Sequence, residues 1–103
     1  MEVLQTELFA KWLKRLRDLQ ARAAILTRIE RIQDGNFGDS SSVGGGISEL
    51  RIHIGPGYRV YYVIRRRKVM ILLCGGDKSS QQRDINRAQQ IVSELDGGSI
   101  NVQ

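Results

Sequence analysis

The sequence predicts an α+β fold: two N-terminal helices, a twisted antiparallel β-meander and a C-terminal helix. Changes in hydrophobic period predict it. Apolar residues recur at helical spacing up to Ile32, alternate with polar residues from Ile47, and return to helical spacing from Ile85. Punctuation by glycine at residues 44–46 and at Gly75-Gly76 falls where the period changes.

Each element follows from local residues. Val3 to Gln5 is a short strand candidate. Thr6 is placed to cap a helix over about 7–19, with Leu8, Phe9, Trp12, Leu13 and Leu16 on its apolar side and Lys11, Lys14, Arg15 and Arg17 on the other. Trp12 lies on the apolar stripe and reads as core. A second helix is expected over 21–34, its stripe formed by Ala21, Ala24, Ile25, Ile29 and Ile32 and its end marked by Asp34-Gly35. Residues 35–46, rich in glycine and serine, read as an irregular flexible loop. Leu50, Ile52 and Ile54 then alternate with Glu49, Arg51 and His53, the mark of a strand. Gly55-Pro56-Gly57 turns the chain into a return strand, Tyr58 to Ile64. Arg65 to Lys68 is a polar turn, and Val69 to Cys74 is apolar throughout, as in a strand covered on both faces. Gly75-Gly76 is expected to stop that strand. Ser79 and Gln82 have capping-box spacing before a helix whose stripe is Ile85, Ala88, Val92 and Leu95. Residues 96–103 lack a period and are expected to fray.

Length fits one domain over residues 1–103. No apolar run approaches the ~18 residues of a membrane span, and the first residues lack a signal-peptide pattern, so a cytoplasmic protein is expected. One cysteine, Cys74, excludes an internal disulfide and reads as a buried core thiol. With one cysteine and one histidine, no zinc site is expected, and nothing suggests a cofactor.

Charge is unevenly placed. Of the net +5, the excess sits in residues 47–87, which hold nine Lys/Arg against three Asp/Glu. A localised basic field favours a polyanion, and RNA is the expected one.

Within that segment, Glu49, Arg51 and His53 emerge from one strand face roughly 7 Å apart in successive pairs. The hairpin brings Arg59 and Tyr61 near them, and Lys78 follows the third strand. This set suits RNA cleavage. The 2′-hydroxyl must lose a proton and attack the adjacent phosphate, and the leaving 5′-oxygen must gain one. Arginine forks bind the phosphate and stabilise its developing charge; a carboxylate or imidazole exchanges the protons. Arg51, Arg59, Glu49, His53 and Lys78 are therefore candidate catalytic residues. Arg65, Arg66, Arg67, Lys68 and Arg83 are candidate RNA contacts.

The segments Ile47-Ser48-Glu49-Leu50-Arg51-Ile52, Gly55-Pro56-Gly57-Tyr58-Arg59-Val60-Tyr61-Tyr62 and Leu72-Leu73-Cys74-Gly75-Gly76-Asp77-Lys78-Ser79-Ser80-Gln81, with Asp84-Ile85 and Arg87-Ala88 in the last helix, carry a resemblance. So do Phe9-Ala10-Lys11-Trp12-Leu13 and Gly35-Asn36-Phe37-Gly38-Asp39. Together they resemble the phage-derived, HigB-like branch of the RelE/ParE toxin superfamily, the addiction-module killer proteins. The resemblance spans about residues 5–95. It implies a RelE-like fold and a toxin of a type II toxin–antitoxin module that cuts messenger RNA on the ribosome without metal. It also implies a cognate antitoxin, of the helix-turn-helix type, as partner beside the ribosome and mRNA. Arg51 and Arg59 match positions that the family uses near substrate, and Lys78 lies near a basic position after the last strand. Where several relatives carry a catalytic Tyr or His, this chain has Lys78-Ser79-Ser80-Gln81, which leaves the general acid unassigned. The same fold also serves gyrase poisons, so a protein-binding inhibitor, or an inactive RNA- or partner-binding module, are the competing expectations.

Overall fold

The computed structural model describes residues 1–103. The chain runs β1 (Glu2–Gln5), α1 (Glu7–Arg15), α2 (Leu19–Gln33), β2 (Ser40–Gly44), β3 (Ile47–Ile52), β4 (Tyr58–Arg65), β5 (Val69–Asp77), one 3₁₀ turn (Lys78–Ser80) and α3 (Gln81–Asp96). The class is α+β, as the periods predict. No helix is long and apolar enough to cross a membrane.

The five strands form one mixed sheet in the order β1-β5-β4-β3-β2. The expected antiparallel meander is its centre, β3-β4-β5; β1 joins β5 in parallel, and β2 extends the other edge. Alternation sorts the side chains. Leu50, Ile52, Val60, Tyr62, Met70 and Leu72 meet Phe9 and Ile25, Ile29 and Ile32 of the helical pair. Ile47, Tyr61, Val63, Ile71 and Leu73 meet Ala88 and Ile91 of α3 on the opposite face. A bulge where Tyr61 pairs with Cys74 and Tyr62 with Leu72 lets Leu73 and Cys74 both face α3. Burial pushes the Cys74 thiol up to about 12, so it remains a neutral core group at pH 7.

Several boundaries differ from the sequence expectation. Helix α1 stops at Arg15, not 19, because the Asp18 carboxylate accepts from the Ala21 amide and opens α2 there. Residues 35–46 contain strand β2, not only an irregular loop. The glycines at 44, 45 and 46 all have positive φ and form the β2–β3 hairpin turn, while the serines before them pair with β3. Strand β5 continues through Gly75 and Gly76 to Asp77. The Ser79/Gln82 capping box does not form: Asp77 accepts from the Ser79 amide, and α3 starts at Gln81. The tail folds back, with Gln103 and Gln5 exchanging backbone hydrogen bonds and Ile100 and Val102 packing near α3. A single-sequence period could not show that pairing, since the partner lies at the other end of the chain.

Thr6 is the knot between helix and sheet. Its hydroxyl accepts from the Phe9 amide at 3.0 Å and donates to the Leu73 carbonyl at 2.7 Å, and the residue is buried. Thr6→Ala removes a cap and strands a buried carbonyl, so a loss of about 2 kcal/mol is expected. Urea denaturation checks it; a change below about 0.5 kcal/mol would show that the knot contributes nothing.

Candidate functional site

The site lies on the sheet face that α3 covers, beyond that helix's N-terminal end. Pairing of β3 with β4 sets Arg51 directly across from Arg59 and Glu49 across from Tyr61. Residues opposite each other in an antiparallel pair share a face, with Cβ atoms about 5 Å apart. Two arginines in that relation repel, so the fold must supply an anion.

Glu49 supplies it. Its residue is 1% exposed, and its carboxylate collects donors from three directions. The Arg59 guanidinium donates at 2.5 Å, the Tyr61 hydroxyl at 3.2 Å, and the Gln81 amide from the first turn of α3 at 3.1 Å. Arg51 Nη1 stands 3.5 Å from the second carboxylate oxygen. Burial, then the Glu49 charge, holds the Tyr61 phenol above its ordinary range, so Tyr61 stays neutral and donates. Glu49 therefore meets side chains and not solvent.

The two arginines differ in what they have left. Arg51 Nε and Nη2 donate to Asp39 at 3.0 and 2.7 Å, and Nη1 donates to the Ser41 hydroxyl at 2.9 Å. Hydrogen bonding to Asp39 raises the Arg51 guanidinium above its ordinary value. Arg59, with its side chain 14% exposed, has Glu49 as its protein acceptor. A guanidinium has five N–H donors, so most of Arg59's remain for a ligand.

The other sequence candidates are placed as follows. His53 lies just past β3, its side chain 73% exposed, with Nε2 against an Asp39 carboxylate oxygen. Lys78 is exposed at the end of β5, beside the Gly57 turn: a Cβ on Gly57 would lie 3.7 Å from that of Lys78. Arg83 is exposed on the first turn of α3, two residues beyond Gln81. Thus Glu49, Arg51, Arg59, His53, Lys78 and Arg83 gather at one end of the sheet. Arg65, Arg66, Arg67 and Lys68 do not. They form the opposite hairpin tip, six residues along β4 from Arg59, or roughly 20 Å. Arg65 there pairs with Asp96 at the end of α3. Arg66 and Arg67 both have positive φ in that turn.

Two residues of the site are not visible in the sequence pattern. Asp39 sits in the glycine–serine stretch and Gln81 in the stretch after the last strand. Both stand in segments that carry recognisable motifs, yet only the fold shows that they reach Arg51 and Glu49 from 12 and 32 residues away.

Residues 11–93 match the family model described as phage-derived protein Gp49-like (DUF891). The chain belongs to the phage-derived Gp49-like family. Members of this family are RelE-like, toxin-like proteins of addiction modules. The chain is also 50% identical over 95 residues to an uncharacterized protein of Haemophilus influenzae, an alignment covering 92% of this chain and 96% of that protein. The Gp49-like match includes every candidate site residue, from Asp39 through Arg83.

Proposed function

We propose that this Gp49-like chain is a HigB-like toxin of a type II toxin–antitoxin module, an mRNA interferase that cuts messenger RNA on the ribosome and halts translation. The observation that supports it best is the opposed pair Arg51 and Arg59, held together by a buried carboxylate at an open end of the sheet. That arrangement costs stability that a plain sheet would not need to give up, and a phosphodiester is the ligand it suits. Cations, among them Arg59, Lys78 and Arg83, face outward around Glu49 beside the Asp39 carboxylate that pairs with Arg51, which fits an anion at Arg59.

The step follows from those groups. The 2′-oxygen attacks phosphorus as its proton leaves, the bond from phosphorus to the 5′-oxygen breaks, and that oxygen takes up a proton. The ends are a 2′,3′-cyclic phosphate and a 5′-hydroxyl. Arg59, with donors to spare, and Lys78 meet the charge that grows on the phosphorane. Glu49 keeps Arg59 aimed at it. Only RNA carries the attacking hydroxyl, so the substrate class follows from the chemistry. The proposed partners are the ribosome, mRNA and a cognate antitoxin of the helix-turn-helix type.

In vitro translation with mapping of mRNA ends tests this. Wild-type protein is expected to leave ribosome-dependent cuts, and Arg59→Ala to lower cutting by about 10²–10³-fold. Intact transcripts with wild-type protein would overturn the nuclease reading. Equal cutting by the variant would remove Arg59 from the site.

A further inference from the structure

Resting on the nuclease reading, the geometry points to Asp39 as a positioning residue of the site: one carboxylate oxygen aligns Arg51, and the other orients His53 to act as general base. Asp39 lies 12 residues before Arg51 and 14 before His53, yet its two oxygens serve one each. Oδ1 accepts from Arg51 Nε and Nη2, and Oδ2 faces His53 Nε2.

The backbone that carries this carboxylate is itself held. Arg28 of α2 donates from Nη1 to the Arg51 carbonyl at 2.8 Å, and from Nη2 to the carbonyls of Phe37 at 3.4 Å and Asp39 at 3.3 Å. The Arg51 amide donates to the Asp39 carbonyl at 3.0 Å. Strand β3 and the segment before β2 are thus clamped to the same guanidinium. Gly38 makes room for it: a Cβ there would lie 2.7 Å from Arg28 Nη2. A carboxylate that merely solvated a loop would need no such scaffold.

Chemistry gives the pairing a use. Hydrogen bonds from Arg51, then His53, hold the Asp39 carboxyl well below the usual carboxylate range, so it is ionised at neutral pH. An ionised carboxylate only accepts, so the neutral imidazole must place its hydrogen on Nε2. Nδ1 is then left as an acceptor on a ring that is largely exposed. As the bond from the 2′-oxygen to phosphorus forms, Nδ1 takes the 2′ proton. As the bond from phosphorus to the 5′-oxygen breaks, that oxygen takes a proton from water. The imidazolium that results stands beside the Asp39 carboxylate. His53 is the catalytic group in this scheme; Asp39 acts through it and through Arg51.

The experiment compares wild type, Asp39→Ala, Asp39→Asn and His53→Gln. His53 is the sole histidine, so its imidazole signals in ¹⁵N-labelled protein need no assignment. Wild type is expected to show a hydrogen-bonded Nε2 proton that Asp39→Ala lacks. In ribosome-dependent cleavage, both Asp39 variants and His53→Gln are expected to lose about 10²-fold in kcat with KM little changed. The isosteric Asn variant, with an unchanged urea midpoint, keeps the result from being a folding defect. Adding His53→Gln to either Asp39 variant is expected to cost little more, because the two act as a unit. Cutting by the Asp39 variants at the wild-type rate, or faster with a lower KM, would overturn the role and make Asp39 a competitor of the phosphate for Arg51. Absence of an Nε2 hydrogen bond in wild type would also overturn it. Wild-type protein that cuts no transcript is a separate result: it sinks the nuclease reading, and the Asp39 role with it.

Discussion

Glu49→Ala is expected to destabilise the protein by about 3–5 kcal/mol, the usual cost of removing one partner from a buried ion pair. The cause is what remains. Arg59 would keep a largely buried guanidinium with no counter-charge, Arg51 would face it across the strand pair, and the Tyr61 hydroxyl would lose its acceptor. Arginine cannot shed its proton to relieve this. For a chain of 103 residues the corresponding fall in melting temperature is upward of about 12 °C. Glu49→Gln keeps the volume and part of the hydrogen bonding, so its cost should be smaller but in the same direction. A double variant, Glu49→Leu with Arg59→Met, separates the causes. It removes both charges, so its loss should be well under the sum of the single losses. If Glu49→Ala unfolds within about 0.5 kcal/mol of wild type, the carboxylate does not hold the arginines.

That outcome bears on roles as well as stability. By sequence, Glu49 is a proton-transfer candidate because a carboxylate stands on the same strand face as Arg51. Burial gives it a different role. With both oxygens engaged by side chains, Glu49 orders the cations that face outward. Under the proposed function, contact with substrate then falls to Arg59, Lys78 and His53, which keep donors or an acceptor toward solvent. Arg51 stands between the two classes, with Glu49 inside and Asp39 and Ser41 outside.

How far residues revealed the fold depends on the range of each contact. Helical spacing gave α1, α2 and α3, and alternation from Leu50 to Tyr62 sorted the two sheet faces, because such patterns repeat every few residues. Gly55-Pro56-Gly57 marked the hairpin and so placed Arg59 near Arg51 or His53, which made the core of the site legible; the register that sets Arg51 across from Arg59 came from the fold. Strand β2 was not legible, because its serines carry no apolar alternation and its order comes from pairing with β3. Nor was the distance between Arg59 and the Arg65–Lys68 tip, where charge summed along a sequence hid a separation along a strand. Asp39 and Gln81 join the site only through tertiary contacts, which no local period encodes.

Gly76→Ala should cost about 3 kcal/mol or more, although alanine is a better strand residue than glycine. The backbone of Gly76 is ordinary; the obstacle is space. A Cβ there would fall 1.9 Å from Asp84 Oδ2 and 2.8 Å from Ser80 Oγ. Asp84 is buried in the first turn of α3 and accepts from the Ser80 hydroxyl at 2.5 Å, so it cannot swing away without losing that bond. The helix would have to lift, and Gln81, which reaches Glu49 from the same turn, would lift with it. Gly76 also pairs with Arg59 across β4 and β5, so the strain enters the site from its floor. The expected signature is therefore double: a lowered urea midpoint and, under the proposed nuclease function, weaker RNA cleavage than stability alone explains. Asp84→Ala tests the cause, since it removes the atoms in the way. Gly76→Ala should cost less in that background than in wild type; an equal cost would place the strain somewhere other than the Asp84 carboxylate.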